Sequence, residues 1–492
     1  MPSVFIGKSD NQDFILNSSM MNRHGIITGS TGSGKTVTMK VLLEEFSKLG
    51  IPSFVADMKG DVKSLGLKGS ENEKIIERLK LLNMDTFDFE AFPVEFWDIF
   101  QEKGIPLRCS ISSMGPIMLA SVLGLNEVQS AILNSVFKIA DEKGLLLKDL
   151  KDLISMLNYV SENSKEFSKN YGNMQSQSVL AILRFLKMLE EQGGNLFFSE
   201  PEIDLNDLFK KDERGYGYIN ILSCEKLITK PSIYSAFLLY MLSYLYETLP
   251  EIGDTEIPKF AFFFDEAHML FDNISKELLS KIELTVRLIR SKGVGVFFIT
   301  QNPLDVPDEI SSNLGTKITH SLRAYTPKEL KNIKVVSMTY RQQENENLEK
   351  VLMELEKGEA LISTLDEKGI PTYAKRIFIR PPKSSFDAID DLSVQKIVNN
   401  SKLYQKYGID VDSFSAYEAL EKQALEKQTL EKEKSVQNIS QKTEKSEESS
   451  KKSNSEPIFE GHLNKITKSI FTSIGRELGR QITRGLLGNF KR

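Results

Sequence analysis

The order of apolar and polar positions divides the chain before any motif is considered. Gly25–Thr28 reads as a short buried strand, a glycine-rich turn follows, Val37–Leu49 carries a helical pattern, and Pro52–Ala56 is again an apolar run. Strand, helix, strand in that order is a βαβ unit, the opening of a mostly parallel sheet covered by helices. The same rhythm returns later in the chain. Strands are expected at Tyr216–Leu222, Phe260–Phe264, Val294–Thr300 and Ile318–Ala324, helices at Tyr234–Thr248 and Leu278–Ser291, and Ala360–Leu365 with Thr372–Ile379 reads as a closing hairpin. Residues 114–200 differ: Leu145, Leu146, Leu150, Leu153, Met156, Leu157 and Val160 recur at helical spacing, and a further helix is expected around Val179–Leu189. This stretch reads as an α-helical insertion between two parts of one α/β core, residues 25–113 and 201–385.

The flanks have their own patterns. Residues 1–24 hold one or two strands, and residues 386–460 read as a helical or disordered linker. Within the latter, ALEKQ occurs at 419–423 and again at 424–428. A five-residue period turns its leucine by roughly 140° per repeat on a helix, so no fixed apolar seam forms. The stretch at 435–457, rich in Ser, Lys, Glu and Asn, reads as flexible. In the tail, 461–492, Ile466, Ile470, Ile474, Leu478, Ile482 and Leu486 follow i, i+4 spacing while Arg476, Arg480 and Arg484 line another face. This is the pattern of a basic amphipathic helix, which docks on protein or a neighbouring subunit, lies on an anionic membrane surface, or contacts nucleic acid.

Composition narrows the picture. Lys+Arg is 63 against Asp+Glu 68, a formal net charge of −5, so any nucleic-acid contact must be local rather than the work of a global basic field. Cys109 and Cys224 are too few and too far apart for a disulfide framework or a CxxC metal site, which fits a reducing compartment. No run approaches 18 apolar residues and the start of the chain has no secretory signature. The expected location is cytoplasmic, peripheral to a membrane at most through the tail helix.

The chemistry is concentrated in two places. Gly29, Ser30, Thr31, Gly32, Ser33, Gly34, Lys35 and Thr36 fit G-x-x-x-x-G-K-[ST] at every fixed position. Glycines let successive backbone N–H groups curl toward phosphate oxygens, and the helix that follows aims its positive dipole end at the same point. In such a loop Lys35 reaches the β- and γ-phosphates of ATP and Thr36 offers its hydroxyl to Mg²⁺. The second place is Phe260-Ala-Phe-Phe-Phe-Asp265-Glu266, an apolar run of the kind buried on both faces of a sheet, ending in two carboxylates. Asp265 is the expected second Mg²⁺ ligand, through water, and Glu266 the expected general base for the attacking water.

Further candidates surround this pair. Gln301, at the end of Val294–Thr300, is placed to contact the γ-phosphate or the water. Asp57 and Lys59 end the strand after the P-loop helix, where both a site role and plain turn formation are open. Arg287, Arg290 and Arg323 are candidates for stabilising charge on the transferred phosphoryl group, in cis or in trans. His24 and His268 have no metal-ligand spacing and read as structural.

With these motifs in place the chain resembles the HerA/FtsK-type branch of RecA-like P-loop ATPases, and more closely the bacterial HerA-like helicase family. The resemblance is carried by HGIITGSTGSGKT (24–36), FVADMKGDVKSLG (54–66), FPVEFWDIFQEKGIPLR (92–108), YGNMQSQSVLAILR (171–184), FFFDEAHMLF (262–271), VRLIRSKGVGVFFITQNPLDVPD (286–308) and GRELGRQITRGLLG (475–488). It implies a RecA-like core, ATP hydrolysis, assembly into a homo-hexameric ring with sites between subunits, and a pore for DNA or another polymer. Lys35 and Thr36 match the family's Walker A pair, Asp265 and Glu266 its Walker B pair and Gln301 its sensor glutamine, while Arg323 lies where an intersubunit arginine is expected. Before Gly25 there is no room for the N-terminal β-barrel by which archaeal members engage a partner nuclease, so that partnership is not carried over. Three functions follow: an ATP-driven DNA translocase or helicase, a protein-moving or assembly ATPase of the conjugation and secretion type, and a non-motor ATP-dependent switch.

Overall fold

The computed structural model describes residues 3–172, 174–253, 255–271, 276–344 and 346–450. It divides into two units, 1–420 and 421–492.

In the first unit, twelve strands among the described residues form one mixed sheet. They are β1 (Ser3–Ser9), β2 (Gln12–Asn17), β3 (Gly25–Thr28), β4 (Ser53–Asp57), β5 (Val94–Asp98), β6 (Ile105–Pro106), β7 (Ile219–Ser223), β8 (Phe260–Phe264), β9 (Val294–Thr300), β10 (Thr316–His320), β11 (Glu359–Ser363) and β12 (Lys375–Ile379). Their order across the sheet is β2-β1-β12-β11-β10-β3-β9-β8-β4-β7-β5-β6. From β10 to β6 every neighbouring pair is parallel. From β10 back to β2 every pair is antiparallel. Strands β3, β4, β5, β8 and β9 are buried at every position, which is why β3, β4, β8 and β9 read as near-continuous apolar runs, while β5 carries Glu95 and Asp98.

The opening βαβ unit encloses more than its sequence suggests. Helix α1 (Lys35–Lys48) leads from β3 to β4, but β9 and β8 lie between those two strands. The first residues form the outer edge of the sheet. A two-residue turn, Asp10-Asn11, with both φ positive (46° and 65°), joins β1 to β2, the geometry that matches strand twist in a tight hairpin. β1 then pairs with β12, so the two ends of this core close on each other.

After α2 (Glu73–Leu81) comes the helical insertion: α3 (Ile111–Val122), α4 (Glu127–Glu142), α5 (Leu150–Glu162), α6 (Ser164–Tyr171), α7 (Ser176–Glu191) and the single turn α8 (Gly194–Phe197). Capping boxes at Asn126/Gln129 and Asp149/Asp152 set where α4 and α5 begin. α5 buries Leu150, Leu153, Met156, Leu157 and Val160 and packs against α7, which buries Val179, Ile182, Leu186 and Leu189. Leu146, which fits the same period, is exposed.

The α/β rhythm then continues through α9 (Pro231–Thr248), α10 (His268–Phe271), α11 (Lys276–Ile289), α12 (Asp308–Ser311), α13 (Pro327–Met338) and α14 (Leu348–Glu354). Two strands begin elsewhere than their apolar patterns imply. β7 starts at Ile219, and just before it the Gly217 backbone lies against Ile51 and Pro52 of the loop that leads into β4. β10 ends at His320, so Arg323 stands on the loop beyond it.

Within the stretch expected as linker from residue 386, residues up to 420 belong to the compact unit. Helices α15 (Asp391–Asn400) and α16 (Lys402–Tyr407) lie on β5 and β6, burying Val394, Val398, Leu403 and Tyr407. Buried Arg108 donates to Tyr407 O (2.7 Å), and the Tyr407 ring lies 5.7 Å from Trp97. Helices this short carry too few apolar residues for their period to mark them as docked. Helix α17 (Ala416–Ser450) opens at the end of this segment.

In the second unit the described residues belong to α17, with Leu425 and Leu430 exposed, as their five-residue spacing implies. The amphipathic pattern at 461–492 lies outside the described residues. Among the described residues no helix is long and apolar enough to cross a membrane.

Candidate active site

Parallel pairing brings four strand ends to one edge. Thr28 of β3 is in register with Thr300 of β9, Phe298 of β9 with Phe264 of β8, and Phe264 with Ala56 of β4. The loops that leave these strands are therefore neighbours, in the crevice where an open α/β sheet takes its ligand.

The loop after β3 is shaped by glycine. Gly29, Gly32 and Gly34 have φ of 147°, 76° and 126°, a region that side-chain-bearing residues rarely adopt. A Cβ on Gly29 would stand 2.6 Å from that of His320. The loop is pinned by Ser30 N to Ser321 O (3.0 Å) and Gly358 N to Ser33 O (2.9 Å). Lys35, buried, donates to Gly29 O (2.7 Å) and Ser30 O (3.2 Å), and burial lowers its pKa. Ser33 Oγ is buried without a hydrogen-bond partner. Thr36, in the first turn of α1, is half-buried.

His320 is the brace that sequence reasoning missed. Its Nδ1 faces the carbonyl of Glu359 (2.6 Å), which can only accept, so Nδ1 carries the proton and Nε2 (2.8 Å) accepts from the Thr38 hydroxyl of α1. Burial lowers its pKa to about 4, so the ring is neutral at physiological pH and holds strand, loop and helix together. The only signal for it in the sequence was a histidine inside the strand expected at Ile318–Ala324. His24 also proves structural: it is buried, and its Nδ1 accepts from Val296 N (3.0 Å).

At the end of β8 the two carboxylates face different surroundings. Burial, reinforced by the charges of Glu266 and Asp57, raises the pKa of Asp265 to about 7. Burial also acts to raise Glu266, but the hydrogen bond and charge of Lys59 outweigh it and the net shift is downward. Lys59 Nζ contacts Glu266 Oε1 directly. Glu266 Oε2 has no hydrogen-bond partner, with His268 Nδ1 3.4 Å away. The Glu266 backbone is left-handed (φ 46°), which costs a non-glycine residue ~1–3 kcal/mol and is found where surrounding structure imposes it. Gln301, after β9, accepts from Thr31 Oγ1 at 3.4 Å, and its side chain helps to hold the Glu266 pKa down, so it stands between the phosphate loop and the carboxylate.

The remaining candidates separate. Asp57 accepts from the backbone N–H groups of Lys59 (3.3 Å), Gly60 (2.9 Å) and Val62 (3.1 Å), so its carboxylate caps a turn, while Lys59 turns to Glu266. Arg323 is exposed and lines a recess of about 210 Å³ with Ser30, Gln301 and Asn302. Arg287 lies in the last turn of α11 and Arg290 opens the short 3-10 turn that follows it, just before β9 begins. They therefore lie at the far end of that seven-residue strand from Gln301, roughly 20 Å away, and do not reach this site within one chain.

A glycine-cradled loop with a buried lysine, facing a paired carboxylate on the next strand but one, defines a RecA-like P-loop nucleoside triphosphatase. The chain belongs to the family described as "Helicase HerA-like C-terminal", whose model matches residues 3–492. It is a P-loop ATPase. Among solved structures, it is similar to the bacterial conjugative coupling protein TrwBΔN70 in an unbound form, with 13% identity over 76% of this chain and 90% of that one, TM-score 0.50. VirB4 of Thermoanaerobacter pseudethanolicus gives 17% identity over 77% and 96%, TM-score 0.49, and TrwB in complex with ADP and Mg²⁺ gives 13% over 74% and 88%, TM-score 0.48. No curated protein matches the sequence.

The residues present fit a magnesium nucleotide. Ser33 Oγ and Glu266 Oε2, both buried without partners, border a cradle whose glycines leave room for phosphate oxygens. Among the described residues no cluster of three or more His, Cys, Asp or Glu could hold a metal on its own. Magnesium takes one or two protein oxygens and completes its shell with phosphate and water.

Proposed function

We propose that this protein hydrolyses ATP at the edge formed by β3, β8 and β9, in a homo-hexameric ring, and uses the cycle to move DNA through the ring. The observation that carries the reading is the juxtaposition of the P-loop with a strained, half-satisfied carboxylate at the end of β8, with Gln301 between them.

Lys35 exchanges the carbonyls of Gly29 and Ser30 for β- and γ-phosphate oxygens, which the backbone N–H groups of 29–36 also receive. The Thr36 hydroxyl and the Asp265 carboxylate would hold Mg²⁺, which would supply neutralisation of charge on the phosphates. Glu266 takes the proton of the attacking water while Gln301 orients that water. Arg323, exposed at the rim beside Ser30 and Gln301, is the proposed stabiliser of phosphoryl charge across a subunit boundary. The family's description as helicase-like favours DNA as the polymer, and the likeness to a conjugative coupling protein keeps a conjugation-type motor as the second reading.

ATP hydrolysis by the full chain with and without duplex and single-stranded DNA tests this. Stimulation by DNA is expected, and its loss in both Lys35→Ala and Glu266→Gln. Lys35-dependent turnover indifferent to DNA would overturn the DNA reading in favour of a protein-moving or switch ATPase.

A further inference from the structure

The Lys59–Glu266 contact has no part in the chemistry above. It joins two unlike partners: the Glu266 side chain is 8% exposed, whereas that of Lys59 is 46% exposed. The loop carrying Lys59 is anchored at its root, because Asp57 ties down the backbone of Lys59, Gly60 and Val62. Beyond that anchor, no other residue among the described ones holds the Lys59 ammonium by a direct ion pair. Lys35, Asp265, Gln301 and His268 are the other polar groups around the carboxylate, and none makes a comparably close charged contact with it.

The ammonium on Glu266 Oε1 occupies a lone pair of that oxygen and fixes the carboxylate's rotamer, so the open Oε2 is held in one orientation. We infer that Lys59 is a positioning residue that restrains Glu266, keeping basal hydrolysis low until an anionic group reaching the exposed ammonium draws it away. The inference rests on the assignment of Glu266 as the base. Lys59 touches neither the phosphates nor the metal in this scheme, so nucleotide affinity is outside its reach.

Steady-state hydrolysis by the full chain decides it, comparing wild type with Lys59→Met, Lys59→Gln, Lys59→Arg, Glu266→Gln and the Lys59→Met/Glu266→Gln double variant. Both neutral variants are expected to raise kcat by roughly threefold to tenfold, part of the 10²–10⁴ that a positioned base supplies, with KM for ATP unchanged within about twofold. Lys59→Arg, which keeps a cation on the carboxylate, is expected to return kcat to the wild-type level. The double variant is expected to lose turnover, showing that the added rate passes through Glu266. A kcat that is unchanged or lower in both neutral variants overturns the restraint, and a fall rescued by arginine would instead make Lys59 an activating contact. Wild-type turnover in Glu266→Gln alone would overturn the assigned base itself, a separate failure.

Discussion

Two clusters of buried charge lie along helix α1 and differ in one respect. Around its middle, every charged group is satisfied. Arg380, 1% exposed, pairs with Glu44 (2.9 Å) and Glu45 (2.8 Å), Glu44 also accepts from the backbone of Lys383 (3.0 Å) and Ser384 (2.9 Å), and Lys40 donates to Ser64 (2.8 Å) and Ser385 O (2.5 Å). At its N-terminus, Ser33 Oγ and Glu266 Oε2 are buried with no partner and Glu266 is held in a left-handed conformation. Completed networks hold a structure together, whereas buried groups left incomplete cost stability and persist where a ligand is to be met. The middle cluster clasps α1 to the segment after β12, and the terminal one faces the crevice.

Substitutions on the two sides should separate activity from stability. Lys35→Ala and Glu266→Gln are expected to cut hydrolysis by ~10²–10⁴, the range for a positioned base or phosphate ligand, while thermal unfolding stays near the wild-type midpoint. Arg380→Met should do the reverse. It leaves Glu44 buried and uncompensated, a loss of ~3–5 kcal/mol measurable by urea unfolding, with turnover per folded molecule retained. If Arg380→Met silenced turnover in fully folded protein, the division between clasp and site would fail.

A third buried carboxylate sharpens the contrast through pH. Burial pushes Glu95 on β5 up to about 7 from 4.5, despite its hydrogen bond with Ser401 and the nearby charge of Lys210, and its Oε2 has no partner. The folded state therefore binds this proton more tightly than the unfolded one. Stability is highest below the unfolded value and falls as pH rises from 4.5 toward 7. Glu95→Gln should stabilise by up to ~3 kcal/mol at pH 8, a gain that shrinks toward pH 5 in paired urea titrations. The smallest effect belongs to the exposed Lys350–Glu354 pair on α14, where Lys350→Ala should change stability by less than ~0.5 kcal/mol.

Much of this was legible in the residues. The P-loop, the carboxylate pair at 265–266 and Gln301 could be located because each follows an apolar run ending in polar residues, the local signature of a parallel strand leaving a sheet. His320 and Lys59 could not be given their roles, because neither contact is local: His320 bonds a helix 282 positions away and Lys59 a carboxylate 207 positions away. The docking of α15 and α16 was hidden for a related reason, since helices of ten and six residues hold too few apolar positions to declare a face.

The sequence by itself determined which segments are strands, which loop is curled by glycine and which side chains carry the chemistry, because backbone sterics and apolar period act over a few residues. Tertiary structure alone decided that β9 and β8 lie between the two strands of the first βαβ unit, and that the first strand closes on the last. It also decided that Arg323 shares an edge with the P-loop while Arg287 and Arg290 do not. Strand order depends on contacts hundreds of residues apart, and no local pattern encodes which buried run becomes the neighbour of which.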